Sequence, residues 1–243
     1  MLDKNFTARV MGMDWYYQGD RGPEKWKDIC AIFKEAEEGS LQSPICLNQK
    51  DVTNWIASGL LQFDYHPTTF ETSYYNHTLH LAPIANERIN HVVFNHKRYV
   101  LEDIHFHLPS EHLIDEKSFP LEFHMVHRSP KNELLVIGIM AEPTMVPLNE
   151  KMANLDRKAL NPRNSARGLL VPIDLMQLLP DELGFFHYSG SLTTPPTSGP
   201  VNWVVFKSPV YMRQGLLEAF KEQIGKTNRP VQPRKNRPIY LSK

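Results

Sequence analysis

Residues 105 to 112 read HFHLPSEH, placing three histidines, a glutamate and a proline in eight positions. In a β-strand, side chains two apart share a face, so His105 and His107 present two imidazoles together while Phe106 turns away. A helix would need a spacing of four, and Pro109 argues against one running through the stretch. The pair alone is a weak signal, since 11 histidines among 243 residues bring some together by chance. His124, in LEFHMVHRS, strengthens it: Leu121, Phe123 and Met125 alternate with Glu122, His124 and Val126, the pattern of a second strand. Two neighbouring strands then supply three neutral nitrogens around one open position, the donor set of a catalytic zinc. Thiolates are missing here, which argues against a closed structural site.

The elements that must carry these ligands read mainly as strands: around 60 to 66, then 74 to 82, 89 to 94, 98 to 108, 120 to 128, 133 to 141 and 201 to 207. Helical patterns are fewer: WKDICAIFKEAEEG, with apolar positions at 26, 29, 32, 33 and 36 and a Gly39 stop, then 149 to 159 and 212 to 224. Nineteen prolines break the remainder into turns and loops. The expectation is a mostly β (α+β) fold, a large and mainly antiparallel sheet decorated by short helices.

A length of 243 residues with 41% hydrophobic content fits one large domain or two small ones with a sizeable core. The formal net charge is zero, so long-range attraction to nucleic acid or an anionic membrane is not indicated. The basic run KTNRPVQPRKNRP lacks interleaved aromatics and reads as a solvated, proline-stiffened strap. The longest apolar run, LLVIGIMA at 134 to 141, is far too short to span a bilayer, so a soluble protein is expected. MLDKNFTARVMGMDW holds no apolar core of signal-peptide length, although a trimmed mature form would look the same. Cys30 and Cys46 could pair, and one potential bridge leaves both the pairing and the redox compartment open.

Further stretches, read together with the histidine motifs, resemble the α-class carbonic anhydrase family. They are WYYQGDRGPEKW (15 to 26), LQSPI (41 to 45), NHT (76 to 78), HFHLPSEH, LEFHMVH (121 to 127), LLVIGI (134 to 139), YSGSLTTPPT (188 to 197), VNW (201 to 203) and NRPVQP (228 to 233). They occur in the family's order over nearly the whole chain. The resemblance implies one domain over 1 to 243, with residues 1 to 14 as an extension, a twisted sheet, a conical cleft, one Zn2+ ion and reversible hydration of carbon dioxide to bicarbonate. By motif position His105, His107 and His124 would be the zinc ligands. The family is the reference case for a three-histidine zinc whose water has a pKa of about 7, so that value comes with the resemblance.

The resemblance also assigns the other site residues. Thr193 matches the threonine that accepts a hydrogen bond from zinc-bound hydroxide and gives its own proton to Glu111, an acceptor-only carboxylate. Val126, Val136, Leu192, Thr194, Val201 and Trp203 match the carbon dioxide pocket. His77 sits at the proton-shuttle position, a role that needs a group titrating near neutrality. Tyr75 and His80 stand where smaller amides are common; His80 reads as pocket wall first and relay second. Glu122 matches the glutamate that orients a ligand histidine, whereas Asp103 replaces a usual glutamine. A carboxylate there should make His105 a stronger donor and raise the pKa of the metal's water.

Anion and sulfonamide-type inhibitors are expected by the same resemblance, and a homodimer is left open. Short loops point to a periplasmic or secreted enzyme whose leader was removed, with a cytoplasmic one as the alternative; the bridge common in exported relatives is missing, since Thr197 stands at one of its positions. Two rival functions are a carbonic anhydrase-like binding module without activity and a cupin-type metalloenzyme. The first is opposed by an intact ligand set. A cupin would use Glu111 as a fourth ligand and needs a glycine where Tyr99 stands.

Overall fold

The computed structural model describes residues 14–84, 89–145 and 173–243. The helix expected over 149 to 159 and nearly all of the expected extension lie outside them. In chain order the strands are β1 (Cys46–Leu47), β2 (Asn54–Ile56), β3 (Leu61–Asp64), β4 (Phe70–Tyr75), β5 (Thr78–Pro83), β6 (His91–Phe94), β7 (Lys97–His107), β8 (Leu113–Ile114), β9 (Leu121–Arg128), β10 (Leu134–Thr144), β11 (Phe185–Gly190), β12 (Val201–Phe206), β13 (Val210–Arg213) and β14 (Tyr240–Ser242). Twelve of these form one sheet, whose central order is β2-β14-β11-β12-β10-β9-β7-β5-β4. Most pairings are antiparallel; within this sheet β10 runs parallel to β12 and β13, and β14 to β2.

Alternation along the central strands sorts side chains onto two faces. Leu121, Phe123 and Met125 of β9 and Leu135, Ile137 and Ile139 of β10 enter the larger core, which helix 214–224 covers with Leu217, Ala219 and Phe220. The opposite face carries Glu122, His124 and Val126, beside a second cluster around Val136, Tyr188, Val201 and Trp203. Strand β7 reaches the same division by an irregular route. Tyr99 and Leu101 lie in the larger core, but so do Ile104 and Phe106, because a bulge between Leu101 and Asp103 shifts the register against β9. The extra residue reverses the alternation and turns Asp103, His105 and His107 toward His124.

Two hairpins close on Asn-His turns. Asn76 and His77 join β4 to β5, and Asn95 and His96 join β6 to β7, all four with positive φ. This is the left-handed pair that a two-residue hairpin needs, and asparagine tolerates it best after glycine.

The reading of WKDICAIFKEAEEG as one helix needs correction. Short turns run over α1 (Trp26–Ile29), Ala31–Lys34 and α2 (Glu35–Glu38), interrupted by Cys30 in extended conformation at φ −163°. Trp26, Phe33 and Ala36 still pack with Trp15 and Tyr17, and it is this packing, stronger than helix propensity, that sets the path. Helix 212 to 224 begins later, at Gln214, because β13 takes Val210–Arg213; we name it α3 (Gln214–Ile224). Cys30 and Cys46 are not joined in a disulfide. Among the described residues, no helix is long and apolar enough to cross a membrane.

His127 lies on the larger-core side of β9, its Nδ1–H donated to the Met125 carbonyl and its Nε2 2.7 Å from the Tyr65 hydroxyl. Burial pushes its pKa down to about 3. An unfolded chain binds the proton near pH 6.5, whereas the native ring refuses it until about 3, so stability falls as pH drops through that window. His127→Gln should therefore flatten the dependence of unfolding free energy on pH by up to about 1.4 kcal/mol per pH unit between 6 and 4. Urea unfolding at several pH values would read this, and an unchanged slope would contradict the buried neutral ring.

Candidate metal centre

One ring nitrogen from each of His105, His107 and His124 lies within 4.8 Å of the other two, and all three residues are at least largely buried. The remaining nitrogen of each ring is committed. His105 Nδ1–H donates to Asp103 Oδ2 (2.8 Å), His107 Nδ1–H to the Thr227 carbonyl (2.6 Å) and His124 Nε2–H to Glu122 Oε1 (2.8 Å). A carboxylate and a carbonyl can only accept, so each partner fixes a tautomer and leaves the converging nitrogen with its lone pair. Burial pushes His107 well below the usual imidazole range, aided by His124 and His105. Burial likewise lowers His124, to about 4, against the opposing pull of Glu122. Both rings are therefore neutral donors at pH 7.

The arrangement fits a metal ion on a further count. His107 Nε2 is buried and makes no hydrogen bond, and neither does Glu111 Oε2, 3.5 Å from it. The Tyr17 hydroxyl is also buried and without a partner. Native proteins seldom bury such groups without a ligand or water to satisfy them. Two further histidine-carboxylate groupings, His80-Asp103-His105 and His112-Glu122-His124, surround the trio. Their facing nitrogens already carry protons donated to the carboxylates, so they support the centre and offer no second set of lone pairs.

Glu122 is the hub of this support. Its Oε1 accepts from His124 Nε2 and His112 Nδ1, and its Oε2 from the backbone N–H groups of Glu111 and His112, all at 2.8 Å. Burial alone would raise this carboxyl, but the His112 and His124 rings hold it well below its ordinary range. His112 continues through Tyr188 Oη (2.7 Å) to Ser43 Oγ (2.8 Å). Gly138 sits opposite His124 on β10, where a Cβ would lie 2.9 Å from Glu122 Oε1. With four bonds holding that carboxylate, Gly138→Ala must displace it. The expected result is about a tenfold loss of metal affinity with the fold retained, measured by competition against a chelator.

Glu111 is fully buried, and its Oε1 accepts the Arg229 backbone N–H (2.8 Å). Burial, helped by the Glu122 charge, pushes its carboxyl well above the ordinary range, against the downward pull of the Arg229 N–H and the Thr193 hydroxyl. Thr193 is itself buried, next to the half-buried Thr194. Val136, Val201 and Trp203 are buried in the second cluster, with Val126 and Leu192 half-buried against it. The Trp203 ring packs 4.9 Å from His124 and its Nε1–H donates to the Ser191 carbonyl. His77 stands at the β4–β5 turn, its ring 4.9 Å from Trp15 and 5.0 Å from Tyr16.

Some contributors carry no recognisable sequence signal. The partner of His107 is a backbone carbonyl 120 residues away, and His112 gave no sign that it would share Glu122 with His124. Other positions do carry one. Tyr75 and His80 differ from common usage, and they stack with ring centroids 3.5 Å apart.

Three largely buried imidazoles from two adjacent strands of a large sheet, each oriented by an acceptor, form a candidate mononuclear metal site of the histidine-ligand type. The family model for eukaryotic-type carbonic anhydrase matches residues 21–243, and the chain belongs to that family of enzymes. A carbonic anhydrase of Nostoc sp. is 32% identical over 237 residues, covering 95% of this chain and 86% of the relative. One of Neisseria gonorrhoeae is 30% identical over 234 residues, covering 94% and 88%. Among solved structures, an α-carbonic anhydrase from Thermovibrio ammonificans, in complex with the inhibitor sulfanilamide, superposes with a TM-score of 0.84 at 33% identity, covering 94% of this chain and 99% of that one. Membership in this family sets the cupin alternative aside.

Proposed function

We propose that this chain catalyses the reversible hydration of carbon dioxide to bicarbonate and a proton, using a zinc ion held by His105 Nε2, His107 Nε2 and His124 Nδ1. The observation that carries the reading is the set of three ring hydrogen bonds, each engaging the outer nitrogen and leaving the other beside those of its two neighbours. Zinc bound there would supply a Lewis acid that makes water a nucleophile near neutral pH.

The chain's own residues do the rest. Glu111, with one oxygen on the Arg229 N–H, takes the Thr193 proton, so the threonine oxygen turns its lone pairs toward the reacting water. A dication held by the histidines would oppose the upward push of burial on the Glu111 carboxyl and favour its acceptor form. Val126, Val136, Leu192, Val201 and Trp203 offer an uncharged substrate an apolar wall beside the metal, with Thr194 at its edge. His77, half-buried among Trp15, Tyr16 and Tyr17, takes the product proton out toward solvent. An aromatic sulfonamide, the type of inhibitor bound by the Thermovibrio relative, should compete at the same metal.

Asp103 tunes His105. Replacing it with glutamine exchanges an anionic acceptor for a neutral one, makes His105 a weaker donor and should lower the midpoint of the pH–rate profile by about half a unit. A midpoint that stays put or rises would contradict this. The reading as a whole is tested by stopped-flow hydration alongside zinc content, with and without a chelator. One zinc per chain and chelator-sensitive activity are expected, and a zinc-loaded but inactive protein would favour a binding role.

A further inference from the structure

Asp103 Oδ2 accepts two imidazole N–H groups, one from His105 Nδ1 and one from His80 Nδ1, each at 2.8 Å. We propose that His80 is a positioning residue for the metal centre, pinning the Asp103 carboxylate and through it the ring of His105. The inference rests on the zinc reading above and extends it by one layer, to a side chain on a third strand.

Strand pairing builds the arrangement. His80 on β5 lies directly opposite His105 on β7, so both rings leave the sheet on one face. The β7 bulge brings Asp103 onto that face between them. An aspartate has two side-chain torsions, and a single donor leaves its carboxylate free to swing about that bond. Donors from two different strands, converging on one oxygen, remove the freedom. His80 is held in turn, 5% exposed, with the Tyr75 ring stacked on it at 3.5 Å and 16°. Burial would raise the Asp103 carboxyl, but the two imidazoles keep it well below its ordinary range. Its charge is therefore shared by the two imidazoles, with the Tyr75 hydroxyl hydrogen-bonded to the same carboxylate, and the hold on His105 depends on the His80 donor as well as its own.

The test is zinc release from the loaded protein into excess chelator, for wild type, His80→Ala, Asp103→Ala and the double variant. His80→Ala should release zinc about five- to tenfold faster. The same change in the Asp103→Ala background should add nothing, because its effect runs through the carboxylate. His80→Gln, whose amide N–H can still donate to Asp103, should recover most of the loss. Unchanged release in His80→Ala, or equal acceleration in both backgrounds, would overturn the inference by reducing His80 to packing. Should His80→Ala fail to fold, nitrogen-15 NMR of the loaded wild type decides: protons on Nδ1 of both rings support the shared carboxylate, and a His80 without an Nδ1 proton overturns it. A wild-type chain that never retains zinc would instead fail the proposed function beneath it.

Discussion

His107→Gln should yield a folded chain that loses its zinc and with it nearly all carbon dioxide hydration. Glutamine is chosen because its amide N–H can still donate to the Thr227 carbonyl, which in the native protein is satisfied by His107 Nδ1. What disappears is the converging nitrogen. A structural zinc site is worth on the order of 10–16 kcal/mol, so losing one of three nitrogen donors removes about 3–5 kcal/mol, or roughly 10²- to 10⁴-fold in affinity. Water without the metal would lose its pKa of about 7 and return to the far weaker acidity of bulk water, and the supply of nucleophile at neutral pH would collapse. Metal content after gel filtration and stopped-flow hydration measure the two losses separately. A variant that kept one zinc per chain and wild-type turnover would remove His107 from the ligand set.

Thr193→Val should produce the opposite dissociation, with zinc retained and catalysis lost. Valine matches threonine in shape but carries no hydroxyl, so Glu111 loses the proton it accepts and the reacting water loses its guide. Misorientation of a nucleophile costs about 10²-fold, and removal of one preorganised polar contact is of similar size, so kcat/KM for carbon dioxide should fall about 10²-fold. Thr193→Ser keeps the hydroxyl and should stay within a few-fold of wild type. If the valine variant hydrated carbon dioxide at the native rate, the Thr193-Glu111 pair would have no orienting role. The comparison also separates orientation from metal binding, because the two changes act on groups with different partners: Thr227 for His107, Glu111 for Thr193.

The two discriminate because the site is layered, with nitrogen donors innermost, acceptors behind them and strands behind those. Glu122 shows how far the layers are shared, since one carboxylate bonds the His124 ring, the neighbouring His112 ring and the backbone that presents Glu111. Substitutions at the hub are expected to move metal affinity and orientation together, whereas His107 and Thr193 divide them.

The inner layer was legible in the residues themselves. A histidine spacing of two, followed by LEFHMVH with its own alternation, is a local pattern, and strand periodicity converts it directly into a shared face. The same holds for the sheet-dominated architecture, whose central strands β7, β9 and β10 lie close to the segments read from alternation. Local pattern was least reliable around residues 26 to 39, where apolar spacing resembled a helix but packing against Trp15 and Tyr17 broke it into short turns.

What tertiary structure alone decided is everything that depends on register between distant segments. Parity along β7 would have sent Leu101 and His105 to one face; a single bulge put them on opposite faces, and its position follows from how β7 pairs with β9. The acceptor for His107 is a main-chain carbonyl across 120 residues, a group every residue possesses and no sequence motif can mark. Asp103 could be read as the partner of His105 from their spacing, but its second bond, to His80, exists because β5 pairs with β7 so that His80 faces His105. Side-chain types and short spacings set what chemistry the chain can attempt; long-range pairing, which is cooperative and has no local signature, set which acceptor each histidine ring meets.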